Sequence, residues 1–135
     1  MSQMKKKERK GKTATFEDLD VWKKARVLRK DISKLVKGFP KEEKYKLVDQ
    51  MLRSSRSITA NIAEGYGRFH YKENMQYCRQ SRGEAFELLD HLLVSFDEKY
   101  INDKILSKFK KQIFEVIHLI NGYIKYLKGR EDVDD

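Results

Sequence analysis

Cysteine, proline and tryptophan each occur once in this 135-residue chain, and glycine only seven times. A single cysteine, Cys78, excludes an internal disulfide and a cysteine metal cluster. It also fits a reducing compartment, so a cytoplasmic location is expected. With Pro40 alone to break them, long segments are left free for helices. No stretch approaches the ~20 apolar residues that a membrane span needs, and the basic start of the chain has no apolar run after it. Neither a membrane anchor nor a secretory signal is expected.

What the chain has is charge. Charged residues make up 38% and hydrophobic residues 39%, with a net charge of +9. The opening "MSQMKKKERKGK" holds six Lys/Arg against one acid, Glu8. Residues 1–15 therefore read as a basic arm that attracts polyanions by releasing their counterions, or else as a solvated tail. The chain closes on "EDVDD", an acidic tail over 130–135.

Between them, four segments repeat apolar residues at helical spacing. The first carries Val21, Ala25, Leu28, Ile32 and Leu35, widened by Trp22 and Val36; Asp18 or Asp20 is expected to cap it and Gly38-Phe39-Pro40 to end it. The second carries Leu47, Met51, Ser54 or Ser55, Ile58 and Ile62, and stops at Gly65. The third runs from about Tyr71 to Asp97, with Met75, Cys78, Ala85, Leu88, Leu92 and Phe96 inward. The fourth steps through Leu106, Phe109, Ile113, Val116, Ile120, Tyr123 and Leu127, with Asn102 or Asp103 as cap and Gly129 as its end. Nothing reads as a strand. The expected fold is all-α: an antiparallel up-down-up-down four-helix bundle over residues 16–129.

The stretch "SITANIAEGYGRFHYKE" joins the second and third segments. Its small residues, from Ser57 on, let a neighbouring backbone come close. Gly65 is expected to take left-handed angles at the helix end, and Gly67 to let the chain reverse. Asn61 and Glu64 lie within reach of the turn, where they can hold its amides or Arg68. A phosphate loop needs a Gly-Lys-Ser/Thr between a strand and a helix, and this corner has neither.

Three stretches carry a family resemblance: "FEDLDVW", "FPKEEKYKLVDQMLRSSRSITANIAEGYGR" and "SRGEAFELLDHL". Over roughly residues 16–128 the chain resembles the bacterial four-helix-bundle proteins encoded in intervening sequences of 23S ribosomal RNA genes. The accessory variability determinant of diversity-generating retroelements belongs with them. The resemblance implies a ring-like homopentamer and no enzymatic activity. In the retroelement member it implies association with a reverse transcriptase and with nucleic acid through a basic surface. Many relatives have Gly-Ser where this chain has Gly83-Glu84, which leaves a ring interface or partner contact there in doubt.

Catalytic constellations are weak. The one Glu-x-x-His, Glu115 to His118, is expected to point away from the core, because Ile113, Val116 and Ile120 take the inward positions. His70, His91 and His118 are scattered, and no cofactor or metal is expected. The arginines are better material. Arg53 and Arg56 share one helix face, Arg79 and Arg82 another, and the two pairs are expected at similar heights beside Arg68 and Lys72. Tyr66, Phe69, Tyr71 and Tyr77 interleave as stacking surfaces for unpaired bases. The first helix adds Lys23, Lys24, Arg26, Arg29, Lys30, Lys34 and Lys37. The expected function is a non-enzymatic homo-oligomer that grips RNA or DNA phosphates. The alternative is a purely structural or protein-interaction oligomer whose arginines pair with Glu64, Glu84, Glu87 or a neighbouring subunit.

Overall fold

A computed structural model describes residues 14–134, with side chains through Glu131. The basic arm lies outside the described residues except for its last two positions. Four helices carry the fold: α1 (Asp20–Val36), α2 (Leu47–Tyr66), α3 (Tyr71–Asp97) and α4 (Asp103–Asp134). No strand occurs among the described residues.

The apolar stripes account for the packing. Leu28 and Ile32 of α1, Met51, Ile58 and Ile62 of α2, Leu88 and Leu92 of α3, and Ile113, Ile120 and Leu127 of α4 are fully buried. Each such side chain contributes about 1.5–3 kcal/mol relative to leaving it in water. Leu35, Phe96 and Tyr123 are only half-buried and pack against the edge of this core. α2 packs on α1 and α3, and α4 on α3 and α1, while the Cα atoms of the diagonal pairs stay more than 8 Å apart. The helices thus surround one core. Across α2 and α3, Gly65 lies against Asn74, Ser81 Oγ donates to the Ile58 carbonyl at 2.8 Å, and Ser95 Oγ reaches Met51 Sδ at 3.5 Å. Contacts therefore climb α3 as they descend α2.

The small residues of α2 behave as their chemistry dictates. Ser54, Ser55 and Thr59 donate back to the carbonyls of Met51, Leu52 and Arg56 at 3.3, 3.1 and 3.0 Å. Their short side chains are buried, which lets the neighbouring helices approach.

Several helix ends differ from expectation. Neither Asp18 nor Asp20 caps α1. Thr15 instead caps a short turn, Phe16–Asp18, in a reciprocal capping box with Asp18, and Leu19 leads into α1 without a side-chain bond. α2 runs through Gly65 to Tyr66, and Gly67 has an ordinary φ of −76°. Gly65 is therefore a packing glycine, not a left-handed one. α4 continues past Gly129 to Asp134, so the boundary expected there falls inside a helix. Gly129 faces open space and has nothing to force a stop. Asn102 does cap α4, its Oδ1 accepting the Ile105 N–H at 2.9 Å.

Candidate nucleic-acid interface

Lys23, Arg26, Lys30, Lys34 and Lys37 follow one another along α1 in steps of three and four, and all are exposed. That spacing places them on one outward face about 21 Å long at 1.5 Å per residue. The inward flanks are used differently. Lys24 pairs with Glu115 of α4 at 3.1 Å, and Arg29 Nη1 donates to Thr59 Oγ1 of α2 at 3.0 Å. Asp31, the only acid within this part of α1, accepts from Gln112 Nε2 of α4 at 3.0 Å. It is turned away from the outward lysines. Arg26 lies 5.6 Å from the centre of the Trp22 ring, a cation–π contact that leaves its charge outward. Among the described residues, no ion pair or side-chain hydrogen bond occupies Lys23, Lys30, Lys34 or Lys37. Unneutralised charge is concentrated here.

The α2 and α3 arginines are more divided. Arg56 and Arg79 are exposed and carry no ion pair among the described residues. Arg53 has Asp49 of its own helix at 3.8 Å. Arg82 is half-buried and donates to Asn121 Oδ1 of α4 at 2.7 Å. Arg82 thus turns to α4, away from the α2 seam that its neighbour Ser81 makes with Ile58. Arg82, at least, is drawn to α4 and not to Arg53 and Arg56.

The corner is built around Arg68. Its Nε stands 3.2 Å from Glu64 and its Nη1 3.6 Å from Glu73. Its Nη2 donates to Tyr77 Oη at 2.6 Å, with the guanidinium 4.9 Å from that ring's centre. Asn61 Nδ2 donates to the Ser57 carbonyl at 2.9 Å, so it serves its own helix and not the turn. Gly65 is buried and Gly67 exposed. Lys72 is exposed, and Phe69 is 88% exposed. Tyr66 and Tyr71 are half-buried, and Tyr77 is taken up by Arg68. Of the four aromatics at this corner, Phe69 alone stands out into solvent.

The family model for 23S rRNA-intervening sequence protein matches residues 17–122. The chain belongs to this family. It is also similar to a crystal structure of a protein with unknown function from the S23 ribosomal protein family of Bacteroides thetaiotaomicron. The two are 25% identical; the match covers 78% of this chain and 95% of that chain, with a TM-score of 0.72. No curated protein matches.

In this member of the 23S rRNA-intervening sequence family, Gly83 of α3 is followed by Glu84. Glu84 is half-buried, and its carboxyl is held above the ordinary carboxylate range by burial, then by hydrogen bonding and repulsion from Glu87, against the opposing charge of Arg53. It follows Ser81 by one turn, on the side of α3 that meets Ile58 of α2. Cys78 is buried, and its thiol is pushed up to about 12, chiefly by burial. Burial likewise raises the Tyr123 phenol, whose oxygen accepts from Asn74 Nδ2 at 3.2 Å. Glu115 and His118 are exposed, and Glu115 is paired with Lys24. No cluster of His, Cys, Asp and Glu among the described residues could hold a metal ion. No helix among them is long and apolar enough to cross a membrane.

One exposed aromatic was not weighed from sequence. Tyr45, in the α1–α2 connection, is 82% exposed, with Lys44 Nζ 5.3 Å from its ring centre. The readable signal was its position between Lys44 and Lys46, in a basic segment that continues from α1.

Proposed function

We propose that this protein is a non-catalytic, cytoplasmic nucleic-acid-binding or adaptor module. Its four helices run up-down-up-down, and it works as a homo-oligomer, a ring of five on the family resemblance. The outward face of α1 supports this reading: cations at five successive helical steps, with the nearby acid Asp31 bound to Gln112. Such a row tracks a phosphate backbone and carries no sequence code of its own. The α2–α3 arginines are secondary, since Arg53, Arg68 and Arg82 already hold partners. Arg56, Lys72 and Arg79 stay available to extend the grip.

An oligomer has apolar material to cover. Phe86 of α3 and Phe114 of α4 are about half exposed, with ring centres 6.4 Å apart, and Leu93 follows two turns on along α3. Repeating the α1 face on each subunit raises avidity for a long polyanion.

The test is binding of labelled RNA and DNA across a salt series. The expected result is retention without cleavage, with a log–log salt slope of about −3 for single strands. Lys30→Glu with Lys34→Glu flattens that slope and lowers affinity more than Arg79→Glu with Arg82→Glu. Equal binding by the folded Lys30→Glu/Lys34→Glu variant overturns the reading.

A further inference from the structure

The basic face of α1 does not stop with the helix. The connection that follows carries Lys37, Lys41, Lys44 and Lys46, all exposed, around Tyr45. Its acids are unequal. Glu43 is engaged at the inner side, its Oε2 accepting from Tyr100 Oη at 2.8 Å and its Oε1 facing the Leu47 N–H at 3.5 Å. Glu42 alone stays exposed. Phe39 is half-buried, with its ring centre 5.3 Å from that of Tyr100. Phe39 and Glu43 thus fasten the connection to the α3–α4 loop, while Tyr45 is left outside at 82% exposure.

An aromatic ring held out on a fastened loop among lysines has a specific use. Base faces stack on such rings, while the flanking ammonium groups meet phosphates. A base inside a duplex already has both faces covered, so only an unpaired base can take the ring. The alternative, a ring packed on this protein's own core, is the role already filled by Phe39.

We infer that Tyr45 is a base-stacking platform at the end of the α1 phosphate track, and that the protein therefore selects single-stranded over duplex nucleic acid. The inference rests on the nucleic-acid-binding reading above. Tyr45 supplies the preference for unpaired bases; the α1 lysines supply the affinity common to both forms. Tyr45→Phe keeps the ring and Tyr45→Ala removes it, and at so exposed a position neither disturbs the core.

The experiment compares fluorescence anisotropy of a labelled single-stranded RNA and of the same RNA in duplex form. Both are titrated with the full chain, with Tyr45→Ala, with Tyr45→Phe, and with Lys30→Glu/Lys34→Glu. Tyr45→Ala is expected to weaken single-strand binding about 5- to 150-fold, the range for losing one stacked base. It leaves duplex binding and the salt slope unchanged, and Tyr45→Phe retains wild-type affinity. Loss for the lysine variant on both RNAs, with no loss for Tyr45→Ala, overturns the inference and leaves the wider reading standing. Equal losses on single strand and duplex for Tyr45→Ala overturn it too. Failure of the wild-type chain to bind either RNA overturns both.

Discussion

A methyl group at Gly65 would stand 2.7 Å from Asn74 Oδ1, 2.9 Å from Tyr77 Cβ and 3.0 Å from the Asn74 carbonyl oxygen. Asn74 has little freedom to move aside. It is buried, its Nδ2 donates to Tyr123, and its Oδ1 lies 3.6 Å from Cys78 Sγ. Glycine to alanine inside a helix ordinarily gains about 1 kcal/mol, but forcing an extra carbon into a filled contact costs about 1–3 kcal/mol. Contacts of 2.7–3.0 Å put the cost in the upper part of that range, about 2–3 kcal/mol, so Gly65→Ala is expected to lose about 1–2 kcal/mol in urea unfolding. Gly129→Ala faces open space and is expected to gain up to about 1 kcal/mol. A Gly65→Ala protein as stable as the parent would show that α2 and α3 are farther apart there.

Arg68 ties the end of α2 to the first turns of α3 through Glu64, Glu73 and Tyr77. All three contacts are partly open to solvent, so each is modest. Exposed pairs contribute about 0.2–1 kcal/mol and the ring contact about 0.5–1 kcal/mol. Arg68→Ala is expected to cost about 1–2 kcal/mol, and Arg68→Lys to recover only part, since an ammonium cannot fork. A double-mutant cycle with Tyr77→Leu should give a coupling of at least about 0.5 kcal/mol. Simple additivity would mean that the two side chains do not act together.

Lys99 has a φ of 65°, the one positive φ on a non-glycine among the described residues. It closes α3 in a Schellman arrangement, with the Tyr100 N–H bonded to the Ser95 carbonyl at 2.9 Å and the Lys99 N–H to the Phe96 carbonyl at 3.0 Å. Glycine usually occupies this place because a Cβ crowds the left-handed conformation. Lys99→Gly is expected to raise stability by about 0.5–1 kcal/mol, seen as a higher melting temperature. A lower one would mean that the lysine stem packs on the loop.

The fold was legible where a single rule governs. The steps of three and four in α4 leave only one face for Ile113, Val116 and Ile120, and that face is buried. The corner was legible only as a corner. A glycine just past a helix and a glycine pressed against a neighbouring helix look alike in sequence, and Gly65 proved to be the second kind. The density of positive charge on α1 could be read from its residues, although Lys24 and Arg29, counted in that face, turn to α4 and α2. Which arginines are already partnered could not, because Asn121 lies 39 residues from Arg82 and Thr59 lies 30 from Arg29. Those pairings are fixed by how the helices are set around the core.

Tyr100 donates to Glu43 at 2.8 Å and thereby joins the α3–α4 loop to the α1–α2 connection. That hydrogen bond, with partial burial and the nearby carboxylates adding to it, pushes the phenol up to about 12. A raised pKa means that the folded protein holds this proton more tightly than the unfolded chain does. The stability tied to it is complete below the unfolded value near 10 and is lost as the pH rises to about 12. Once ionised, the phenolate faces Glu43 as a like charge, and the bond between the two loops is broken. Tyr100→Phe is therefore expected to unfold at a lower urea concentration than the parent at neutral pH. Between pH ~10 and ~12 the parent loses this contribution while the variant, having no phenol, does not, so the two unfolding midpoints converge. Parallel profiles for the two proteins across that window would show that Glu43 does not hold the Tyr100 proton.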